Sequence, residues 1–192
     1  MSVIITLLLG WIALTGALAY LNLLSDFSST PSPVGWLTAI ALLVATVFAV
    51  SPFGAAAARA TPVAWLIGFQ SFRIAVEILL HQGYLAGFVP PQMTWAGRNW
   101  DILTGLTAVP VAYFAARQTL PRWAAVVWNL TGFALLINIM AVGILSTPGS
   151  FRLFQNEPAN IFVAQFPYVW LLTVLVPTAW IGHLLLFRRL QS

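Results

Sequence analysis

Apolar runs broken by short polar stretches dominate the chain. Read at about 20 residues per crossing, they predict helical spans at 3–24, 35–51, 63–89, 102–116, 123–146 and 161–187. The expected fold is an all-α integral membrane protein, a single transmembrane domain over 1–192 built as a bundle of about six helices. Residues 25–33 carry four serines and two prolines, and such a stretch leaves backbone groups that need water, so it reads as a loop. Thr61-Pro62 reads as a helix start, with threonine as cap and proline in the first turn, and Pro90-Pro91 as that helix's end. Ala17-Leu18-Ala19 has the look of a signal-peptidase site. No Lys or Arg precedes it and the apolar run is long, so the first run is expected to be a retained helix.

The third span breaks the apolar pattern. Gln70, Arg73, Glu77, His81 and Tyr84 fall within about 80° of arc on one helix face at 100° per residue. A charge near the bilayer centre costs roughly 2.5–3.5 kcal/mol on insertion scales, so such residues normally have a partner, a cavity or a task. At 1.5 Å of rise per residue from Pro62, Arg73 lies about 16 Å in, Glu77 about 22 Å and His81 about 28 Å. The stripe thus runs from mid-membrane toward the loop 90–101, which holds Arg98, Asn99 and Asp101, and toward Gln155, Asn156 and Glu157. These positions predict a polar, ligand-binding cavity in the outer half of the membrane, lined by Gln70, Arg73, Glu77, His81, Tyr84, Arg98, Asn99 and Asp101. Two readings of the central pair compete. In one, Arg73 and Glu77 form an internal salt bridge that specifies helix packing, aided by Asn129, Thr131, Asn138 or Gln165. In the other, Arg73 receives an anion or carboxylate and Glu77 a proton or cation.

Composition settles the environment: 60% of residues are hydrophobic, 6% are charged and mean hydropathy is +0.92, against about 25% charged in soluble domains. The isoelectric point of 10.4 does not signal nucleic acid, because all eight basic residues are arginines scattered singly between apolar runs. There is no cysteine, which removes disulfides and thiolate metal sites. With the N-terminus inside, inner segments hold Arg59, Arg117, Arg122, Arg188 and Arg189, and outer ones only Arg98 and Arg152. The expected topology is N-in/C-in, in a cell inner membrane. Trp36, Trp95 and Trp100 then mark the outer interface, and Trp65 and Trp123 the inner one.

Metal chemistry has only a thin basis. Glu77, His81 and Asp101 are weak candidates for a mixed carboxylate–imidazole site, and no cofactor is expected. A sixth span beginning near Ile161 carries His183 about 33 Å from the outer surface, beside Arg188 and Arg189 and far from His81. No catalytic residue emerges: Gly-x-Ser-x-Gly, His-Glu-x-x-His, Walker and Gly-x-Gly-x-x-Gly patterns are all missing, and Ser71 points about 160° away from Arg73. Ala41, Ala45 and Ala49 form a small-residue ridge for close helix approach. Pro110, Pro167 and Pro177 should interrupt the fourth and sixth spans. Asn129 and Asn138 lie on opposite faces of the fifth span, whereas Thr131 and Asn138 share one.

The stretch Met93-Thr94-Trp95-Ala96-Gly97-Arg98-Asn99-Trp100-Asp101-Ile102-Leu103-Thr104-Gly105-Leu106, with Phe166-Pro167-Tyr168-Val169-Trp170 and the closing Arg188-Arg189, resembles a pattern in uncharacterised bacterial multi-span membrane proteins of about this length. The resemblance brings no activity. That pattern has an acidic residue where this chain has Ala96, which weakens a metal role for the loop. Here Asn99 or Asp101 is expected to cap the fourth helix. The leading functional expectation is a small-molecule or ion binding protein of transporter or channel type, homo-oligomeric or part of a larger complex in the lipid bilayer. Its rivals are an accessory structural subunit of a membrane complex and a membrane-embedded metalloenzyme acting on a lipid-like substrate.

Overall fold

A computed structural model describes residues 2–191 and contains seven helices, with no strand among the described residues. They are α1 (Ser2–Tyr20), α2 (Pro33–Val50), α3 (Pro52–Ala60), α4 (Val63–Leu85), α5 (Ile102–Ala116), α6 (Arg122–Ser146) and α7 (Leu171–Gln191). Five of them, namely α1 from Val3, α2, α4, α6 and α7, are long and apolar enough to cross a membrane. At 15 residues, α5 rises only about 22 Å, short of the roughly 30 Å hydrocarbon core. Large apolar side chains such as Leu7, Leu43, Val47, Trp65 and Trp123 stand exposed along the helices. Water would penalise that surface, whereas lipid accepts it.

Helix boundaries follow local chemistry. Ser32 and Ser51 each precede a proline and accept the backbone N–H three residues on, at 3.3 Å and 3.2 Å, so both serine–proline pairs start helices. The second pair creates α3, in a segment expected to be loop. Thr61 is consequently not the cap of the next helix: it closes α3, donating its hydroxyl to Ala57 O at 2.8 Å, and α4 begins without a side-chain cap. Gly87, at φ 83°, ends α4 before Pro90-Pro91 is reached.

The last span starts ten residues later than expected. Residues 161–168 form a short 3-10 turn and loop containing Pro167, so only Pro177 interrupts the helix itself, and Pro110 sits inside an unbroken α5. Having no N–H, Pro177 leaves Thr173 O free, and the first five residues of α7 widen into a π turn. Trp11 of α1 donates its indole N–H to that carbonyl at 2.9 Å, while Trp170 donates to Ile12 O at 3.1 Å. These two bonds tie the first helix, whose apolar side chains are largely exposed, to the start of α7.

The bundle is organised around α7, which packs on α2, α3, α4 and α6, while α5 lies against α4. The alanine ridge does what its spacing predicts: Ala41, Ala45 and Ala49 are buried, and α2 runs close along α7. Loops 21–32, 86–101 and 147–170 gather at one end. Asn156 donates to Gln92 Oε1 there at 2.8 Å, and Asn138 to Arg98 O at 2.8 Å. The opposite end carries Arg59, Arg117, Arg122, Arg188 and Arg189, with Arg188 donating to Ala49 O and Ser51 O at the C-terminal end of α2.

Candidate functional site

The polar centre starts from Arg73, near the middle of α4 and just after its 3-10 turn. It is buried, yet its partner is not Glu77. Its Nε donates to Asp101 Oδ2 at 2.6 Å and its Nη2 to Asp101 Oδ1, a two-bond fork between guanidinium and carboxylate. Asp101 stands at the N-cap position of α5, but its carboxylate is drawn to Arg73 and makes no cap hydrogen bond, so the expected capping role fails. Asn99 supports the turn by accepting Asp101 N–H at 3.1 Å.

On its other side, Nη1 donates to His183 Nε2 at 2.9 Å and to Gly132 O at 3.4 Å. A guanidinium only donates, so Nε2 must be unprotonated and the proton sits on Nδ1. Nδ1–H then donates to Asn129 Oδ1 at 2.7 Å, and Asn129 Nδ2 returns a bond to His183 O at 3.0 Å. Gly132 makes room for the ring, since a Cβ there would lie 2.8 Å from His183 Cε1. His183 is therefore a fully buried member of the network, not an interface residue beside Arg188 and Arg189. The reason is register: with α7 starting at Leu171, His183 lies twelve residues below the loop end of its helix, and Arg73 lies twelve residues below Leu85. Both are thus about 18 Å down their helices.

One turn along α4, Glu77 has a different environment. Its Oε1 accepts from Asn99 Nδ2 at 2.6 Å, and Asn99 also donates to Met93 O at 3.0 Å. Its Oε2 is buried with no hydrogen-bond partner. Glu77, Arg73 and Asp101 border a cavity of about 440 Å³ whose walls come from α2 (Thr38, Leu42), α6 (Leu136, Met140) and the π turn of α7 (Leu172, Leu175). Ser29–Ser32 and Thr147–Phe151 frame its loop end. Asn160 also borders it: Nδ2 donates to Gly143 O at 2.9 Å and reaches Thr147 Oγ1 at 3.3 Å, leaving Oδ1 buried without a partner.

The other expected site residues scatter. Gln70 is buried but bonds to Ala179 O at 3.1 Å, in a 3-10 turn that interrupts α4, away from the cavity lining. His81 stacks on Trp95 with ring centroids 4.1 Å apart, and Tyr84 packs into the apolar cluster of Leu80, Val89 and Met93. Helical repeat explains this, because the buried face passes from Glu77 to Leu80 and Gly83 rather than to His81 and Tyr84. Arg98 is exposed and lies over the Phe154 ring at 5.3 Å. Asn99 is buried behind Glu77 and holds it without lining the cavity. Arg152 engages Glu157 at 2.9 Å, so the last loop's polar residues bond among themselves and to Gln92. Of the proposed helpers, Thr131 is exposed and bonds only to Val127 O within its own helix. Among the described residues no group of three or more His, Cys, Asp or Glu is placed to hold a metal ion.

Over residues 33–191, α2 through α7, the chain matches the family model described as a domain of unknown function, DUF8737. The chain belongs to that family. The matched region of this DUF8737 member includes Arg73, Glu77, Asp101, Asn129, Asn160 and His183, whereas α1 and Ser29–Ser32 at the cavity mouth lie before it. No curated protein and no solved structure matches the chain.

Proposed function

We propose that this DUF8737 member is a small-molecule binding membrane protein of transporter type, taking its ligand into the cleft between α2 and α6. The observation that carries the reading is the cleft itself: it is bordered by serine and threonine hydroxyls at the loop end, has apolar walls, and reaches buried ionisable side chains. Pockets of this volume, mostly apolar with a few convergent polar groups, are where membrane and soluble proteins alike hold small ligands. Arginine distribution orients the bundle with its loops outward and both ends of the chain inside, so the cleft opens to the outer side of a bacterial inner membrane. The Arg73–Asp101 fork is the structural element of the site, joining α4 to α5 and leaving Arg73 little capacity for an anion.

Because the chain has no cysteine, single-cysteine variants report the cleft directly. Thr38→Cys and Met140→Cys should react with a membrane-impermeant maleimide added from the outer side, while Thr46→Cys, farther toward the arginine-rich end, should not. An unreactive Met140→Cys beside a reactive Ser29→Cys would remove the cleft as a water-accessible site. Transport, beyond binding, requires Met140→Cys to become reachable from the opposite side as well.

A further inference from the structure

We infer that the cleft selects a ligand whose polar end donates hydrogen bonds, above all a primary ammonium carried on an apolar body. This rests on the small-molecule reading above. The selectivity follows from what the cleft's polar side chains have left to offer. Every nitrogen of the Arg73 guanidinium is engaged, and both Asp101 oxygens are held by Arg73. Two oxygens among the side chains that border the cleft are buried without a partner: Glu77 Oε2 and Asn160 Oδ1.

Both point to the same chemistry. Asn160 cannot exchange its amide ends, because Gly143 O at 2.9 Å is an acceptor and requires the NH₂ there. Glu77, 2% exposed, has Oε1 fixed by Asn99 and Oε2 buried without a partner. An unpaired buried acceptor costs free energy until a donor reaches it. Charge leads to the same conclusion: Arg73 and Asp101 cancel within their fork, so the deep end holds no uncompensated positive charge to attract an anion. A carboxylate or phosphate ligand would find no free cation there, whereas an ammonium brings three donors and a charge that favours the ionised form of Glu77. The apolar walls of Leu42, Val76, Leu136, Met140 and Leu172 suit a hydrocarbon body.

The test uses the full chain in nanodiscs with radiolabelled octylamine, subtracting binding to empty nanodiscs. Wild type should bind it saturably. Unlabelled octylamine should compete on the order of tenfold better than octanol, the scale of one charge-assisted hydrogen bond, and octanoate should not compete. Glu77→Gln should weaken octylamine binding on the order of tenfold while octanol affinity holds, showing that the variant is folded. Asn160→Leu should give a smaller loss, and Met140→Trp, which fills the cleft, should abolish binding of amine and alcohol together. Octanoate competing as well as octylamine, or unchanged octylamine binding in Glu77→Gln, overturns the ligand class and leaves the cleft standing. Octanol bound saturably without octylamine overturns the ligand class in the same way. Absence of saturable binding by all three probes in the wild type sinks the small-molecule reading, and this inference with it.

Discussion

Arg73 and Glu77 are four residues apart on one helix and equally buried, yet they belong to different kinds of site. Around Arg73 every strong group is answered: the Asp101 fork, the His183 ring in a defined tautomer, and Asn129 closing the chain of bonds. Around Glu77 the network stops halfway, with one oxygen held by Asn99 and the other buried without a hydrogen-bond partner. A closed polar network specifies how helices meet. A half-open one beside a cavity holds capacity for something that is not part of the chain. Burial alone does not separate these roles; satisfaction of donors and acceptors does.

The contrast breaks most visibly on charge removal. Arg73→Ala leaves Asp101 buried without its counter-ion and should cost about 3–5 kcal/mol, read as loss of folded protein in detergent or a large drop in thermal midpoint. Glu77→Ala, removing an equally buried side chain that belongs to no ion pair, should not approach that cost. Equal destabilisation by the two variants would abolish the distinction. Within the closed network, Asn129→Leu leaves the His183 Nδ1–H unanswered and should cost about 1–3 kcal/mol in the same denaturation measurement. Gly132→Ala should lose a comparable 1–3 kcal/mol, roughly, by pushing a methyl into His183 and Thr104.

Glu77→Gln sharpens the comparison from the other side. The amide keeps an acceptor for Asn99 and carries no charge, so stability should move by less than about 1 kcal/mol while ligand binding falls. The smallest effect lies outside the long apolar helices, at Glu157. Its hydrogen bonds from Arg152 and from Ala159 N–H hold the carboxyl below the ordinary glutamate range. A lowered folded value means that the contribution is present above the unfolded value and fades as pH falls toward the lowered one. Hydrogen-exchange protection at Ala159, corrected for intrinsic rates, should therefore decline on acidification, with Arg152→Ala blunting the change.

Much of the architecture is legible in the order of residues. Apolar runs locate α2, α5 and α6 to within two residues, and alanine spacing identifies the α2 face that meets α7. Arg73, Glu77, Asn99 and Asp101 all stand out as polar-centre residues, and the structure joins all four. Sequence and structure part where local signals compete. Ser51-Pro52 carries the same start signal as Ser32-Pro33, and an alanine-rich stretch follows it, yet the segment lies between two spans and reads as a connection. Apolar residues at 161–170 look like helix until Pro167 and the wall they form against α4 are considered. That ten-residue slip misplaces His183 by about 15 Å and hides it from the site. Asn160 and the cavity walls on α2 and the 147–151 loop have no sequence signal of their own.

By itself the chain determined that buried ionisable groups sit deep in an apolar helix, because 3.6-residue periodicity and span length follow from backbone geometry and the aversion of hydrocarbon to charge. It did not determine their partners. Glu77 is the nearest carboxylate to Arg73 along the helix, but with arginine on the N-terminal side of that four-residue pair the orientation is the less favourable one. Asp101 offers a two-bond fork from the start of α5, and Asn99 takes Glu77 instead. Only the packing of α5 and α7 against α4 decided that choice, since a side chain pairs with the group the fold brings to it in the right geometry.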